Sequence, residues 1–345
     1  MVVEIHIKPS QWLPVLAVLG LLVGGWYAIT YDVQHSSIVT PTESLVNPDT
    51  LAKRNALPAS VSIPALMQRE YTGTDFILGP TLEKGVGYNR YFMSYNSDGL
   101  TITGSIAVPT SEGSFPLVVL NHALVDREAY RTGDVLIAEQ RYLAQHGYVA
   151  LVPDYRNHAG SDDDPNVDRD LRFGYVIDVI NALQAVERAQ LEFVDTERVG
   201  MIGYSMGAVV ALGVAVAQPD LLDAIVLYSP ISADMWVNYQ RWMADLPIAN
   251  EIIKLYGTIE SNENFWEEAS PAHYLDKILA PILIHHGTAD TYVPISFSEE
   301  LVIALKAANS IPVVFNKYLD QGHEFNSAHD EALDRTVKFL DEYLK

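Results

Sequence analysis

Residues 198–208 read Arg198-Val199-Gly200-Met201-Ile202-Gly203-Tyr204-Ser205-Met206-Gly207-Ala208, and an apolar helical run follows to Val216. A strand that breaks at Gly-Tyr-Ser-Met-Gly and passes straight into a helix has the pattern of a nucleophile elbow, with Ser205 on a strained turn. Glycines at 203 and 207 fit that reading, because a Cβ at either position would strike the strand or helix packed beside it. A five-residue pattern is weak alone, and the flanking strand and helix give it weight.

A serine hydroxyl needs a base, and this fold orders its partners as serine, acid, histidine. Pro281 to Gly287 reads as a buried strand that breaks at a glycine, and Asp290 follows in the loop before Val293-Pro294 and another helix. Asp290 is the expected acid. Pro312 to Tyr318 reads as the last strand, after which Gln321-Gly322-His323-Glu324-Phe325 leads to a final amphipathic helix, Glu331 to Leu344. His323 is the expected base. Each group then falls at the carboxyl end of a parallel strand, where open α/β sheets place their sites. An oxyanion hole needs two backbone donors. Met206 N–H supplies one, and Ala123 or Leu124, in the loop after the Pro116–Asn121 strand, supplies the other.

These landmarks, together with Ser97-Asp98-Gly99-Leu100, Gly104-Ser105, Pro153-Asp154-Tyr155-Arg156 and Gly160-Ser161, resemble α/β-hydrolases of the prolyl oligopeptidase and dienelactone hydrolase type over residues 90–345. The resemblance implies an α/β-hydrolase fold with an eight-stranded, mostly parallel sheet, and a Ser205, Asp290, His323 triad. Two positions depart from the family pattern, which usually has glycine where Ala123 stands and often glycine where Asn157 stands. The alanine leaves the backbone donors intact.

Strands are expected at 89–95, 100–108, 116–121, 148–153, 198–203, 224–229, 281–286 and 312–318, and helices at 133–146, 168–190, 206–217, 295–309 and 328–344. Their alternation argues a parallel sheet. Between Ser229-Pro230 and Ser270-Pro271 the rhythm breaks, with Met235, Trp236, Tyr239, Trp242, Met243, Tyr256, Phe265 and Trp266 inside one long connection. It reads as a helical cap (230–271) over an apolar substrate pocket, for which His122, Tyr204, Trp236 and Trp242 are the candidate wall residues. His122 is equally readable as a buried histidine with a satisfied ring.

The chain carries 44 acidic against 22 basic residues, a net charge of −22, which repels phosphate backbones and speaks against nucleic-acid binding. It has no cysteine, so disulfides and thiolate metal sites are excluded. His285 and His286 read as strand-end packing, since no third ligand is spaced to join them. The Asp162–Asp164 run reads as a solvated loop, and Arg156 as structural. No cofactor or metal is expected.

Leu13 to Thr30 is uncharged and apolar with aromatic flanks (Trp12, Trp26, Tyr27, Tyr31), and as a helix it spans about 27 Å, close to the thickness of a bilayer core. The expected order is a cytoplasmic segment 1–12, a transmembrane anchor 13–30, a proline-punctuated linker 31–69 and a catalytic domain 70–345 on the extracytoplasmic side. A cleaved signal peptide, and so a secreted protein, is the rival reading.

The sequence therefore predicts a membrane-tethered serine hydrolase acting on a small-molecule ester. A peptidase for short peptides is the alternative. The ester is preferred because about 90 residues before the first expected strand are too few for the propeller that gates prolyl oligopeptidases. A catalytically inactive ligand-binding relative is the reading from another class, and the complete ordered triad speaks against it.

Overall fold

The computed structural model describes residues 61–345. The candidate anchor at 13–30 lies outside the described residues, and among these no helix is long and apolar enough to cross a membrane.

One mixed sheet of nine strands organises the domain: β1 (Thr74–Lys84), β2 (Tyr88–Ser97), β3 (Leu100–Pro109), β4 (Phe115–Asn121), β5 (Val149–Pro153), β6 (Val194–Tyr204), β7 (Ala224–Tyr228), β8 (Ile282–Gly287) and β9 (Val313–Tyr318). Their spatial order is β1-β2-β3-β5-β4-β6-β7-β8-β9. The β1, β2, β3 and β5 neighbours pair antiparallel, and all pairings from β5 to β9 are parallel. From β4 the chain goes out to β5 on one side and returns to β6 on the other. The ends of β4 and β6 thus flank the topological switch point, where a crevice opens.

The eight expected strands are all present, and the sheet has a ninth, β1, which the sequence reading missed. β1 carries Gly79-Pro80, its residues are mostly exposed, and its register slips at three places along β2. An edge strand tolerates proline and irregular pairing because one of its sides makes no ladder, and the same features erase the alternating pattern that marks a strand in sequence.

Period-two side-chain alternation divides the core in two. Leu117 and Val119 of β4 enter one cluster, on the face that carries α3 (Phe173–Ala189) and α4 (Met206–Ala217). Val118 and Leu120 enter the other, beneath α2 (Ile137–Gln145) and α9 (His329–Leu344). Every residue of β5 and β7 is buried, as expected of strands covered on both faces.

A second correction concerns the linker. Its last part is a short helix, α1 (Ile63–Gln68), with Ser62 accepting a hydrogen bond from Ala65 N–H at 3.2 Å and Pro64 in the first turn. Ile63 and Leu66 are buried against the α3/α4 face, and Tyr71 OH donates to Leu66 O at 2.8 Å. Burying those two side chains contributes about 1.5–3 kcal/mol each. The structured domain therefore includes residues 61–69.

The cap between β7 and β8 consists of α5 (Met235–Asn238), a π-turn over Tyr239–Met243, α6 (Ala249–Tyr256) and α7 (Ile259–Ala269). Trp236, Tyr239 and Trp266 pack on one another with ring centroids 4.7–5.4 Å apart. Helix α8 (Ile295–Ala308) fills the connection from β8 to β9.

Polar staples fix the helices to the sheet. Arg156, after β5, meets the fully buried Asp178 of α3 through Nη2 (2.8 Å) and Nε (3.0 Å), and Ser97 Oγ donates to the same carboxylate at 2.8 Å. Gly174 makes room for this guanidinium, since a Cβ there would lie 2.6 Å from Arg156 Nε. Asn157 adopts φ 65°, the left-handed region that glycine or asparagine tolerates, and bonds through its side chain to Asp164. On the opposite face His329 Nε2 lies 2.9 Å from Glu139 Oε1, joining α9 to α2.

The hydrogen bond that His329 donates to Glu139 raises the His329 pKa above its ordinary value, outweighing burial, so the pair stabilises the fold below pH 6.5 and the gain disappears as pH rises through the raised value. Thermal melts of wild type and His329→Gln are expected to differ most at pH 6 and to converge by pH 9. A gap that widens with pH would contradict the pairing.

Candidate active site

The turn from β6 to α4 holds Ser205 at φ 53°, ψ −113°, a conformation that costs roughly 1–3 kcal/mol and persists only when its surroundings impose it. They do so by close contact. A Cβ on Gly203 would lie 2.5 Å from Gly207 O, and one on Gly207 would lie 2.1 Å from Asn121 O. Ser205 N–H donates to Tyr228 O at 2.8 Å, which ties the turn to the end of β7.

Asp290 lies three residues past β8 with its side chain fully buried. Its Oδ1 accepts from Tyr292 and Val293 N–H, both at 2.9 Å. His323 Nδ1 donates to Oδ2 at 2.6 Å. A third contact was not foreseen from the sequence. The buried His286 ring places Nε2 3.3 Å from Asp290 Oδ2 and 3.1 Å from Val293 O, both acceptors, so this nitrogen holds the proton while Nδ1 accepts from Ser298 Oγ at 2.7 Å. Burial opposes ionisation of Asp290, yet the hydrogen bonds from His286, His323 and Val293 N–H hold its carboxyl well below the usual carboxylate range. Asp290 is therefore an anion at neutral pH.

Gly287 lets the acid and histidine loops meet. A Cβ there would sit 2.3 Å from Gln321 O, and the loops are bonded by Ala289 N–H to Gln321 O and Thr288 N–H to Tyr318 O, both at 2.9 Å. Ser205 and His323 line one cavity, although no hydrogen bond joins Ser205 Oγ to the ring; catalytic hydrogen bonds are often long before substrate binds.

Met206, Ala123 and Leu124 line the same cavity. Met206 N–H opens α4 and so has no partner within its helix. Ala123 and Leu124 N–H make no hydrogen bond among the described residues. Their loop is held by Asp154, at the end of β5, whose buried carboxylate accepts from Tyr130 OH (2.5 Å), Thr132 Oγ1 (2.5 Å) and Thr103 Oγ1 (2.6 Å). Two of these donors lie in the loop that begins at His122.

Three expected wall residues sit elsewhere. His122 is buried with Nδ1 2.7 Å from Ala123 O and Nε2 3.2 Å from Asp154 O, stacked on Tyr130 and Tyr155, so it anchors the loop from behind. Tyr204, one residue before Ser205, projects to the opposite face of the sheet, where it stacks on Tyr228 and donates to Glu139 at 3.1 Å. Trp236 packs into the cap core. Trp242 does line the cavity, beside Met235 and Met243.

The cavity has a volume of about 510 Å³, and apolar side chains from α1, α3, α4 and the cap make up most of its wall. Leu171 and Arg172, both at left-handed φ (52° and 61°), present their side chains to it. No group of three or more His, Asp or Glu side chains among the described residues is arranged to hold a metal ion.

Residues 135–345, more than half of the chain, match the model of the prolyl oligopeptidase family of peptidases. The chain belongs to that family and is a serine hydrolase. Over 302 residues it is 26% identical to an uncharacterised protein of Mycobacterium tuberculosis, covering 86% of this chain and 84% of that one. It is 26% identical to the rat acylamino-acid-releasing enzyme over 233 residues, 65% of this chain but 30% of that enzyme. Among solved structures, acetyl xylan esterase 1 from Thermoanaerobacterium shares the fold at a TM-score of 0.60 and 18% identity, covering 84% of this chain and 96% of the other. The chain is thus similar in sequence to a protein named as an acylamino-acid-releasing enzyme and in fold to one named as an esterase.

Two residues of this site carried no sequence signal of their role: His286, behind the acid, and Asp154, behind the β4 loop. Asp154→Ala leaves three hydroxyls without their acceptor and frees the loop at Tyr130 and Thr132. We expect kcat on an ester substrate to fall about 10- to 100-fold with a smaller change in KM, and a stability loss of roughly 1–3 kcal/mol. An unchanged kcat in a destabilised protein would show that this loop plays no part in the reaction.

Proposed function

We propose that this serine hydrolase cleaves carboxylic esters through Ser205, His323 and Asp290, tethered to a membrane by residues 13–30. The supporting observation is an apolar cavity that opens directly at Ser205 and His323, with the His323–Asp290 hydrogen bond already formed. Ser205 Oγ attacks the acyl carbon while His323 Nε2, the ring nitrogen not bonded to Asp290, takes its proton. The ionised Asp290 fixes the tautomer and stabilises the imidazolium that forms. The N–H groups of Met206 and of Ala123 or Leu124 receive the negative charge on the carbonyl oxygen. His323 returns the proton to the leaving alcohol, and water, deprotonated by the same ring, releases the acyl group and restores Ser205.

The cavity favours an ester over a peptide because most of its wall is apolar, whereas an extended peptide brings backbone N–H and C=O groups that need partners. The tether rests on the length, apolarity and aromatic flanks of the 13–30 run.

A fluorophosphonate probe applied to fractionated cells expressing the full chain tests the reading. Label is expected in the membrane fraction for wild type and absent for Ser205→Ala, with Asp290→Asn losing about 10⁴-fold in kcat. Aryl esters should be cleaved far faster than aminoacyl anilides. Faster anilide cleavage assigns the protein as a peptidase, label in a folded Ser205→Ala protein removes Ser205 from the mechanism, and label confined to the soluble fraction removes the tether.

A further inference from the structure

The elbow helix faces the cavity with Met206, Val209, Val210 and Gly213. The spacing of 3, 4 and 7 residues is one stripe of a helix, so the cavity follows α4 for two turns away from Ser205. At 1.5 Å per residue, Gly213 lies about 12 Å along the helix from the nucleophile. Opposite this stripe stand Phe173 and Val176 of α3 and Ile63 of α1. All of these side chains are apolar, and Ile63, Val176 and Gly213 are buried.

The other end of the cavity is its mouth. Tyr292 is 74% and Leu124 58% exposed, Glu324 is exposed, and His323 lies among them. The leaving alcohol must stand where His323 can protonate it and where it can depart, so it takes the mouth. The acyl group is left with the closed apolar arm along α4.

We propose that this arm is an acyl-chain site that selects esters of medium-chain fatty acids, and that Gly213 of α4 and Ile63 of α1 set the chain length. An extended chain advances about 1.3 Å per carbon, given single bonds of about 1.5 Å, so 12 Å accommodates roughly eight to ten carbons. Gly213 occupies a helix interior where alanine would favour the helix by about 1 kcal/mol. The missing side chain lets α3 pack close against α4 at the arm, because a Cβ at 213 would lie 2.8 Å from Val176 Cγ2 and a larger residue would press Val176 into the arm. Ile63 reaches the arm from α1, so this short helix supplies part of the acyl site.

The inference rests on the ester-hydrolase reading, and the experiment separates the two. Full-length wild type, Gly213→Val and Ile63→Ala are compared on p-nitrophenyl esters from C2 to C16 below their micelle thresholds. Each is also labelled with the fluorophosphonate probe. Wild-type kcat/KM is expected to rise from C2 by up to about fourfold per methylene, peak at C8 to C10, and fall by C16. Gly213→Val is expected to lower the C10:C2 ratio at least tenfold. Ile63→Ala, which removes volume and avoids the clash at Val176, is expected to move the peak at least two carbons longer. Labelled, active enzyme with C2 as its best ester, or with a peak that neither substitution moves, overturns the acyl-site inference and leaves the esterase reading standing. Folded wild type that is neither labelled nor active on any ester overturns both.

Discussion

A serine held at φ 53° between two glycines is the constraint on which the site depends. The turn is sharp because β6 and α4 approach within contact distance of each other and of the end of β4, and at both Gly203 and Gly207 a single added carbon would meet backbone. Backbone atoms do not rotate away as side-chain tips do, so the strain on Ser205 is imposed by packing on all sides. The same contact at Gly207 sets β4 and its loop beside the start of α4, so that Ala123 and Met206 line one cavity. The conformation of Ser205 and the proximity of the β4 loop are two results of one close approach.

The acid and the histidine obey a parallel rule at the next crossing. Gly287 allows the loop after β9 to rest on the end of β8, and the two loops are laced by backbone hydrogen bonds on either side of that contact. The distance from His323 to Asp290 is therefore governed by backbone pairing. Asp290 is held harder still, with two backbone donors and two imidazoles around its carboxylate. An acid so pinned orients the His323 ring and remains charged. Rigid parts surround the site on the sheet side, and the aromatic cap closes it from the other.

The legible parts of the sequence were those whose signal is local. Buried parallel strands are short continuous apolar runs, so β4, β5, β7 and β8 were placed within a residue or two, and the elbow announced itself by its glycines. The edge strand β1 was not legible because Gly79-Pro80 and exposed side chains erase its alternation. α1 was not legible because six residues among prolines look like a tether until Ile63 and Leu66 are seen buried. The site followed the same division. The pairing of His323 with Asp290 and their nearness to Ser205 could be read from chain order, whereas the contacts of Asp154 and His286 are made with side chains of other elements. Tyr204 was misassigned for a simple reason: adjacent strand residues face opposite sides of a sheet, so a neighbour of Ser205 in sequence is directed away from its pocket.

The placement of the cavity follows from that same alternation. Because Tyr204 is turned toward α2 and α9, where Glu139 accepts from its hydroxyl, the α3/α4 side of the elbow is left with mostly apolar side chains. A polar arm there would have demanded partners for each buried donor and acceptor. An apolar one needs only volume. Most of the wall away from Ser205 and His323 is therefore apolar.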